Sequence, residues 1–142
     1  MKKVLCGTVG VAGSGIAYML GGWDNALQTL VMFMFIDYLM GVAVAFIFKK
    51  SPKTETGGLS SVVGFKGLCK KIVMLVFVAI GHRLDTLFAI DYIRNCICFG
   101  LMANELISIT ENAGLMGLPV PDPIKKGIDL LTSKTEVQNV EN

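Results

Sequence analysis

Long apolar runs separated by short polar turns make up most of the chain. Uncharged or nearly uncharged stretches cover residues 4–20 and 26–48, and stretches with a few charges cover 72–90 and 92–112. A helix needs about 20 mainly apolar residues to cross the roughly 30 Å hydrocarbon core of a bilayer. The pattern therefore predicts an all-α, polytopic membrane protein with about four transmembrane helices. The alternative is three, with either the first or the third segment failing to cross.

The first apolar segment is rich in glycine, and three of its small residues are spaced by four: Gly13, Ala17 and Gly21. Residues four apart share a helix face, and small residues let membrane helices approach closely. This spacing predicts a face for helix packing. Lys2 and Lys3 before an apolar stretch also resemble a signal peptide, but no small-residue cleavage motif follows, which favours a retained span.

The second segment carries a single charge, Asp37, near its middle. An Asp at a helix centre costs about 2.5–3.5 kcal/mol on the insertion scale, whereas each Leu, Ile, Phe or Val returns about 0.3–0.6 kcal/mol. About a dozen such residues return roughly 4–7 kcal/mol, so the segment can insert. Gly41 continues the face of Asp37 one turn later. A small and polar face of this kind is expected to meet protein or water rather than lipid.

The third segment is interrupted by His82, Arg83 and Asp85. It works as a span only if these side chains face other helices or lie near the outer surface. A re-entrant helix is the competing interpretation.

The fourth segment orders its polar residues into one stripe. Steps of four, three, four, three and four join the members of the stripe, which are Arg94, Cys98, Leu101, Glu105, Ser108 and Asn112. At about 100° per residue these positions lie on one side of a helix. The opposite side is suited to lipid and holds Ile93, Ile97, Met102 and Ile109.

Residues 49–71 form the polar middle of the chain, with six lysines against the single acid Glu55. By the positive-inside rule this loop is expected to be cytoplasmic. Within it, residues 59–69 are amphipathic. They predict either a short helix on the inner membrane surface or an ordinary flexible loop.

The remaining basic residues extend this topology. Lys2 and Lys3 belong on the side of the basic loop, and four spans return Lys125 and Lys126 to it. Both termini are therefore expected in the cytoplasm, with a transmembrane domain over 1–118 and a cytoplasmic tail over 119–142. A short amphipathic helix from Pro123 to about Ser133 would place three apolar residues on one face: Ile124, Ile128 and Leu131.

Composition supports a membrane protein and removes several functional classes. Hydrophobic residues make up 53% of the chain and charged residues 17%, against about 45–50% and about 25% in soluble domains. The four cysteines form no CxxC pair and the single histidine has no cluster, so no metal site is predicted. No catalytic constellation, cofactor motif or basic-aromatic nucleic-acid surface is present in the sequence. We expect neither an enzyme nor a nucleic-acid-binding protein.

Polar residues inside predicted spans are candidates for function, because their insertion cost requires compensation. The candidates for lining a pore or for assembly are Asp37, Gly41, Asp85, Arg94, Glu105, Ser108 and Asn112. Three interpretations remain open from the residues alone. Copies of the chain assemble around a pore, or the chain is a small transporter or ion-channel subunit, or the polar groups pair within one monomer.

The C-terminal third carries the clearest family resemblance. An E-x-x-S-I-x-x-N helix end at Glu105–Asn112 is followed by G-L-P-V-P at 117–121. Upstream, Asp37 and Gly41 match D-x-x-x-G. A further match, S-x-x-G-x-x-G-x-x-[RK]-K, is made by Ser61, Gly64, Gly67, Lys70 and Lys71. These motifs resemble the toxin-secretion/phage-lysis holin family over about residues 33–131, and Asp85 falls where that family also tends to place an acid.

The resemblance implies a protein that accumulates as a homo-oligomer in the bacterial host cytoplasmic membrane. Such a protein opens nonspecific lesions in the lipid bilayer at a programmed time. A phage endolysin then reaches the cell wall, or in some relatives a toxin is exported, without necessarily touching the holin. No cofactor is implied.

Overall fold

In the computed structural model, which describes residues 1–140 and the side-chain surroundings of residues 1–133, every regular element is helical. The helices are α1 (Lys2–Met19), α2 (Asn25–Ala43), α3 (Ser61–Phe88), α4 (Ile93–Leu115) and α5 (Asp122–Val140). A π-helical turn, Val44–Phe48, extends α2. The all-α prediction is confirmed. The last two positions of the predicted tail, 141 and 142, lie outside the described residues.

Helices α2, α3 and α4 pack together as a bundle. Steps of three and four join the buried residues of α3, which are Met74, Val78, Gly81 and Asp85. The buried residues of α2 and α4 follow similar steps, and they include Leu27, Leu30 and Met34 on α2 and Arg94, Cys98 and Glu105 on α4. Mean spacing near 3.5 residues is typical of helices that cross at about 20°. The polar stripe of α4 therefore faces the bundle interior.

One stretch of the described chain, Asn25–Phe48, is long and apolar enough by composition to cross a membrane. Two lysines and several glycines dilute the apolar character of α1, and charged side chains dilute α3 and α4. Length is not the obstacle for α3 and α4, since their 28 and 23 residues span about 42 and 35 Å at 1.5 Å per residue.

The loop after α2 is shorter than the lysine pattern predicts. Helix α3 begins at Ser61 and runs without interruption to Phe88, so residues 61–71 form its first turns. A separate surface helix over 59–69 is therefore absent, and α3 has no break near residue 80. Gly64 and Gly67 do not break α3, because both lie against the ring of Tyr38 on α2 and this packing offsets their low helix propensity.

Helix α1 stands apart from the bundle. It has no buried residue, and a Cβ added at Gly13 would meet no atom within 4 Å. Ala17 lies on α1, but Gly21 lies beyond the end of this helix at φ +84°, in the turn that leads to α2. The predicted face of Gly13, Ala17 and Gly21 is therefore not one continuous helix face. Gly21 ends the helix, as left-handed glycines commonly do.

Helix α5 packs against α4 and is longer than the predicted 123–133 segment. Its Leu131 packs against the core cluster, whose α4 members are Cys98 and Met102. Because α4 ends at Leu115, this contact requires α5 to fold back along α4. Gly117, at φ +81°, makes the turn that ends α4.

Gly81 marks a close approach between α3 and α4 in the bundle. A Cβ there would lie 2.7 Å from Ile97 Cδ1 and 3.0 Å from Arg94 Cα. We expect Gly81→Leu to cost about 1–3 kcal/mol of unfolding free energy through overpacking, measured by denaturant titration in detergent. Gly10→Leu is the matched control, since nothing lies within 4 Å of that Cβ. Equal stability of the two variants would contradict this packing.

Candidate functional site

An ion-pair network joins the three bundle helices. The Nζ atom of Lys71 on α3 donates to Asp37 Oδ2 on α2 at 2.7 Å and to Glu105 Oε2 on α4 at 2.5 Å. Asn112 Nδ2 on α4 donates to the other oxygen of Asp37 at 3.1 Å. Both carboxylates therefore find their partners inside one monomer.

The network is almost dry. The side chain of Glu105 is 2% exposed, and those of Lys71 and Asp37 are 12% and 13% exposed. Two carboxylates and one ammonium carry a net charge of −1. Their attraction is strong where water is scarce, but it must repay the cost of desolvating each charge. Such a network is stable only while its partners stay together.

Three glycines lie beside these contacts. A Cβ at Gly41 would lie 4.0 Å from Asn112 Nδ2, and a Cβ at Gly64 or Gly67 would lie 3.6 or 3.9 Å from the side chain of Tyr38, one residue from Asp37. These are ordinary van der Waals distances. The glycines of the D-x-x-x-G and S-x-x-G-x-x-G patterns therefore lie beside the network, but the space around them does not require glycine.

A cavity of about 810 Å³ lies beside the network, bounded by α2, α3, α4 and the loop after α2. Five of the seven residues predicted to line a pore or to take part in assembly lie together at the cavity. These are Asp37, Gly41, Glu105, Ser108 and Asn112. Asp85 and Arg94 do not line it and belong to a second cluster at the other end of the bundle.

The second cluster centres on Arg94, whose side chain is buried at the start of α4. Its guanidinium donates to both carboxylate oxygens of Asp24, at 2.7 and 3.1 Å, and to the carbonyl oxygens of Leu20 at 2.6 Å and Gly22 at 3.2 Å. Through these bonds the planar guanidinium group links the turn between α1 and α2 to α4. The Arg94 guanidinium also holds the pKa of the Asp24 carboxyl below its ordinary value.

Asp85 has a capping role in the same cluster. Its two carboxylate oxygens accept from the backbone N–H groups of Ile93 and Arg94, each at 2.9 Å. These N–H groups belong to the first turn of α4 and have no partner within that helix. The end of α3 therefore supplies the cap of α4, which explains why an acid is buried at this position.

Lys71 is the main residue of the candidate site that sequence reasoning missed, since the positive-inside argument assigns it to a cytoplasmic loop. Its position was visible in the spacing. Steps of three and four run from Gly64 through Gly67, Lys71, Met74, Val78, Gly81 and Asp85. A cation on a stripe that continues into buried residues faces the bundle. Met102, expected to face lipid, is buried for a related reason, since a helix with neighbours on two sides buries more than one stripe.

The arrangement offers no metal centre in the part of the chain that the structure describes. No group of three or more His, Cys, Asp or Glu side chains converges there. The buried carboxylates are instead paired with Lys71 and Asn112. What this site can do is hold three helices together through charge and release them if the pairing changes.

Comparison with known proteins identifies the family. The family model described as the bacteriophage holin family matches residues 14–133, well over half of the chain. The chain belongs to the bacteriophage holin family. It is accordingly a holin-like membrane protein, and the holin resemblance of its C-terminal motifs is confirmed.

Similar chains occur in several bacteria. An uncharacterised protein of Listeria innocua is 36% identical over 130 residues, covering 89% of this chain and 87% of the relative. A second, from Halalkalibacterium halodurans, is 33% identical over 139 residues, covering 92% and 96%. A 14.9 kDa protein of Clostridium perfringens, from the nagH 3′ region, is 34% identical over 124 residues, covering 86% and 88%. No solved structure matches this chain.

Proposed function

We propose that this protein is a phage-type holin whose copies assemble in the bacterial cytoplasmic membrane and open nonspecific lesions. The lesions release an endolysin to the cell wall or a toxin to the outside. The observation that carries the proposal is the buried network of Lys71, Asp37 and Glu105. It gives the monomer a closed arrangement in which every charged group of the network has a partner.

A closed monomer of this kind can accumulate without damaging the membrane. Its polar stripe faces inward, while apolar side chains such as Phe35, Phe65 and Phe77 remain on the outside. A lesion requires the opposite arrangement, with polar faces toward water. We infer that crowded copies exchange contacts within the monomer for contacts between monomers, and that the network sets how readily they do so.

The four-span topology is part of the proposal. The α1–α2 and α3–α4 turns meet at the Arg94 cluster, and the loop 49–60 and the α4–α5 link belong at the other end of α2, α3 and α4. The latter end carries Lys49, Lys50 and Lys53, which favours a cytoplasmic location for that end. In the proposed topology the Arg94 cluster lies on the outer side of the membrane. Lys71 and Glu105 then compensate each other inside the membrane.

Replacing either acid of the network tests this function. We expect Asp37→Asn and Glu105→Gln to depolarise the membrane earlier than the wild-type protein after induction in a bacterium. Each change removes one charged link between helices and so weakens the closed arrangement. A membrane-potential dye, with a coexpressed endolysin to report lysis, gives the onset time.

Two matched variants control for the change of charge. Asp91→Asn and Glu55→Gln replace exposed acids outside the network and should keep the wild-type onset time. If Asp37→Asn and Glu105→Gln also depolarise on the wild-type schedule at equal expression, the proposed role of the network is wrong.

The cavity of about 810 Å³ favours a second candidate, a small transporter or ion-channel subunit. The two functions differ in what crosses the membrane. A holin should give abrupt leakage of whole cytoplasmic proteins. A transporter should give solute-specific uptake at low copy number, with no protein leakage at any expression level.

A further inference from the structure

The buried and the exposed residues of the cavity wall differ in charge. Among the buried residues, Asp37 and Glu105 are already paired with Lys71. Three further lysines line the wall, Lys53, Lys66 and Lys70, and no ion pair joins them to a carboxylate of the described residues. The exposed Glu111 is the one further acid of the wall. The accessible part of the cavity therefore carries an excess of positive charge.

Neutral hydrogen-bond donors accompany these lysines. Ser51 lines the cavity at 9% exposure, and its hydroxyl accepts from Lys53 N–H at 3.3 Å. Within the described residues no acceptor is assigned to the Ser51 hydroxyl proton. The first turn of α3 also borders the cavity, and the side chain of its N-cap, Ser60, makes no capping hydrogen bond. Lysines, a hydroxyl and free N–H groups together suit an anion with several acceptor oxygens.

The side chains around Lys66 and Lys70 indicate which kind of anion would bind. Lys66 and Lys70 are one helical turn apart on α3, and exposed apolar side chains flank them at Val62, Phe65 and Val73. A soluble anion has no apolar part that could contact these side chains, whereas the acyl chains of a phospholipid can cover them. Basic pockets at the membrane surface between helices commonly hold acidic lipid head groups.

We propose that this cavity is a binding site for the phosphate of an anionic phospholipid, with Lys66 and Lys70 as the principal ligands. Ser51 and the first turn of α3 add hydrogen bonds, and the apolar side of α3 receives an acyl chain. Binding needs only the closed monomer in a membrane. The inference therefore goes beyond lesion formation and does not depend on it.

Lipid competition on the full-length chain tests the site. The protein is purified in micelles that contain equal amounts of phosphatidylglycerol and phosphatidylcholine, and bound lipids are counted by native mass spectrometry. We expect the wild-type monomer to retain phosphatidylglycerol preferentially. The Lys66→Gln/Lys70→Gln variant should lower that affinity about tenfold, which is about 1.4 kcal/mol.

The matched control is Lys125→Gln/Lys126→Gln, which removes the same charge from α5. It should keep the wild-type lipid preference, and circular dichroism should show both variants folded, since all four lysines are exposed. Equal loss in the two double variants, or no preference for phosphatidylglycerol in the wild type, overturns the proposal.

A second arm separates a lipid from a soluble phosphate. Glycerol 3-phosphate and inorganic phosphate are titrated onto delipidated protein. Weak binding of both supports the lipid, whereas binding as tight as that of phosphatidylglycerol overturns the lipid assignment. A chain that prefers phosphatidylglycerol but never opens lesions would contradict the proposed function alone, and the reverse result would contradict this inference alone.

Discussion

Replacement of Lys71 by Met is expected to cost about 3–5 kcal/mol of unfolding free energy, the cost typical of removing one partner from a buried ion pair. Met keeps the length and apolar stem of the side chain but leaves Asp37 and Glu105 without their shared cation. Two carboxylates without a cation then remain in an almost dry environment, which is costly. Denaturant titration of helicity in detergent micelles measures the loss.

Lys70→Met is the matched control, because Lys70 is the neighbouring residue, is exposed and has no carboxylate partner among the described residues. It should stay within about 0.5 kcal/mol of the wild type. The triple variant Lys71→Met/Asp37→Asn/Glu105→Gln should recover much of the loss, since replacing a whole buried charge set is often neutral. If Lys71→Met is as stable as Lys70→Met, the network does not hold the helices.

Replacement of Arg94 by Met is expected to cost about 2–4 kcal/mol of unfolding free energy. Hydrogen bonds to charged groups contribute about 1.5–3 kcal/mol each, but their contributions are not additive. The Asp24 side chain is 48% exposed, so water replaces part of what it loses. The carbonyl oxygen of Leu20 and the carboxylate of Asp24 lose their donor, and the α1–α2 turn is no longer fastened to α4. Arg94→Lys should recover only part of the loss, because an ammonium cannot reproduce the planar fork. Thermal unfolding in detergent checks this order.

The contribution of the contact between Asp24 and Arg94 to stability depends on pH. The pKa of Asp24 is lowered in the folded chain by the hydrogen bond from Arg94. Its contribution is therefore complete above the unfolded value of about 3.9 and is lost as pH falls through the lower folded value. The stability difference between wild type and Arg94→Met should shrink over that acidic range. Arg83→Met, at an exposed position, should show no such dependence.

The two clusters stabilise different ends of the bundle. Arg94, Asp24 and Asp85 fasten the end where α1 meets α2 and α3 meets α4. Lys71, Asp37 and Glu105 join α2, α3 and α4 beside the cavity. The proposed function requires a closed arrangement that is stable but can be exchanged. Buried charge pairs have this property, because their stability depends on partners that another copy can also provide.

The sequence by itself determined the helical class, the membrane character and the family. Apolar run length, small-residue spacing and the E-x-x-S-I-x-x-N and G-L-P-V-P patterns are local features, so they can be seen without a fold. The inward stripe of α4 also followed from spacing alone, since 3.6 residues per turn puts Arg94, Glu105 and Asn112 on one side.

Only the tertiary structure decided which polar residues are partners. Lys71 is 34 residues along the chain from both Asp37 and Glu105, and Arg94 is 70 residues from Asp24. Helical periodicity cannot predict contacts between residues so far apart in the sequence. The charge rule places Lys71 in a loop because it counts lysines without regard to the face they occupy. Gly21 and Met102 were misplaced for the same reason, since the end of a helix and the number of its neighbours depend on what packs against it. The local pattern of apolar residues predicts the membrane character of the chain, whereas the pairing of its charges depends on how three helices pack together.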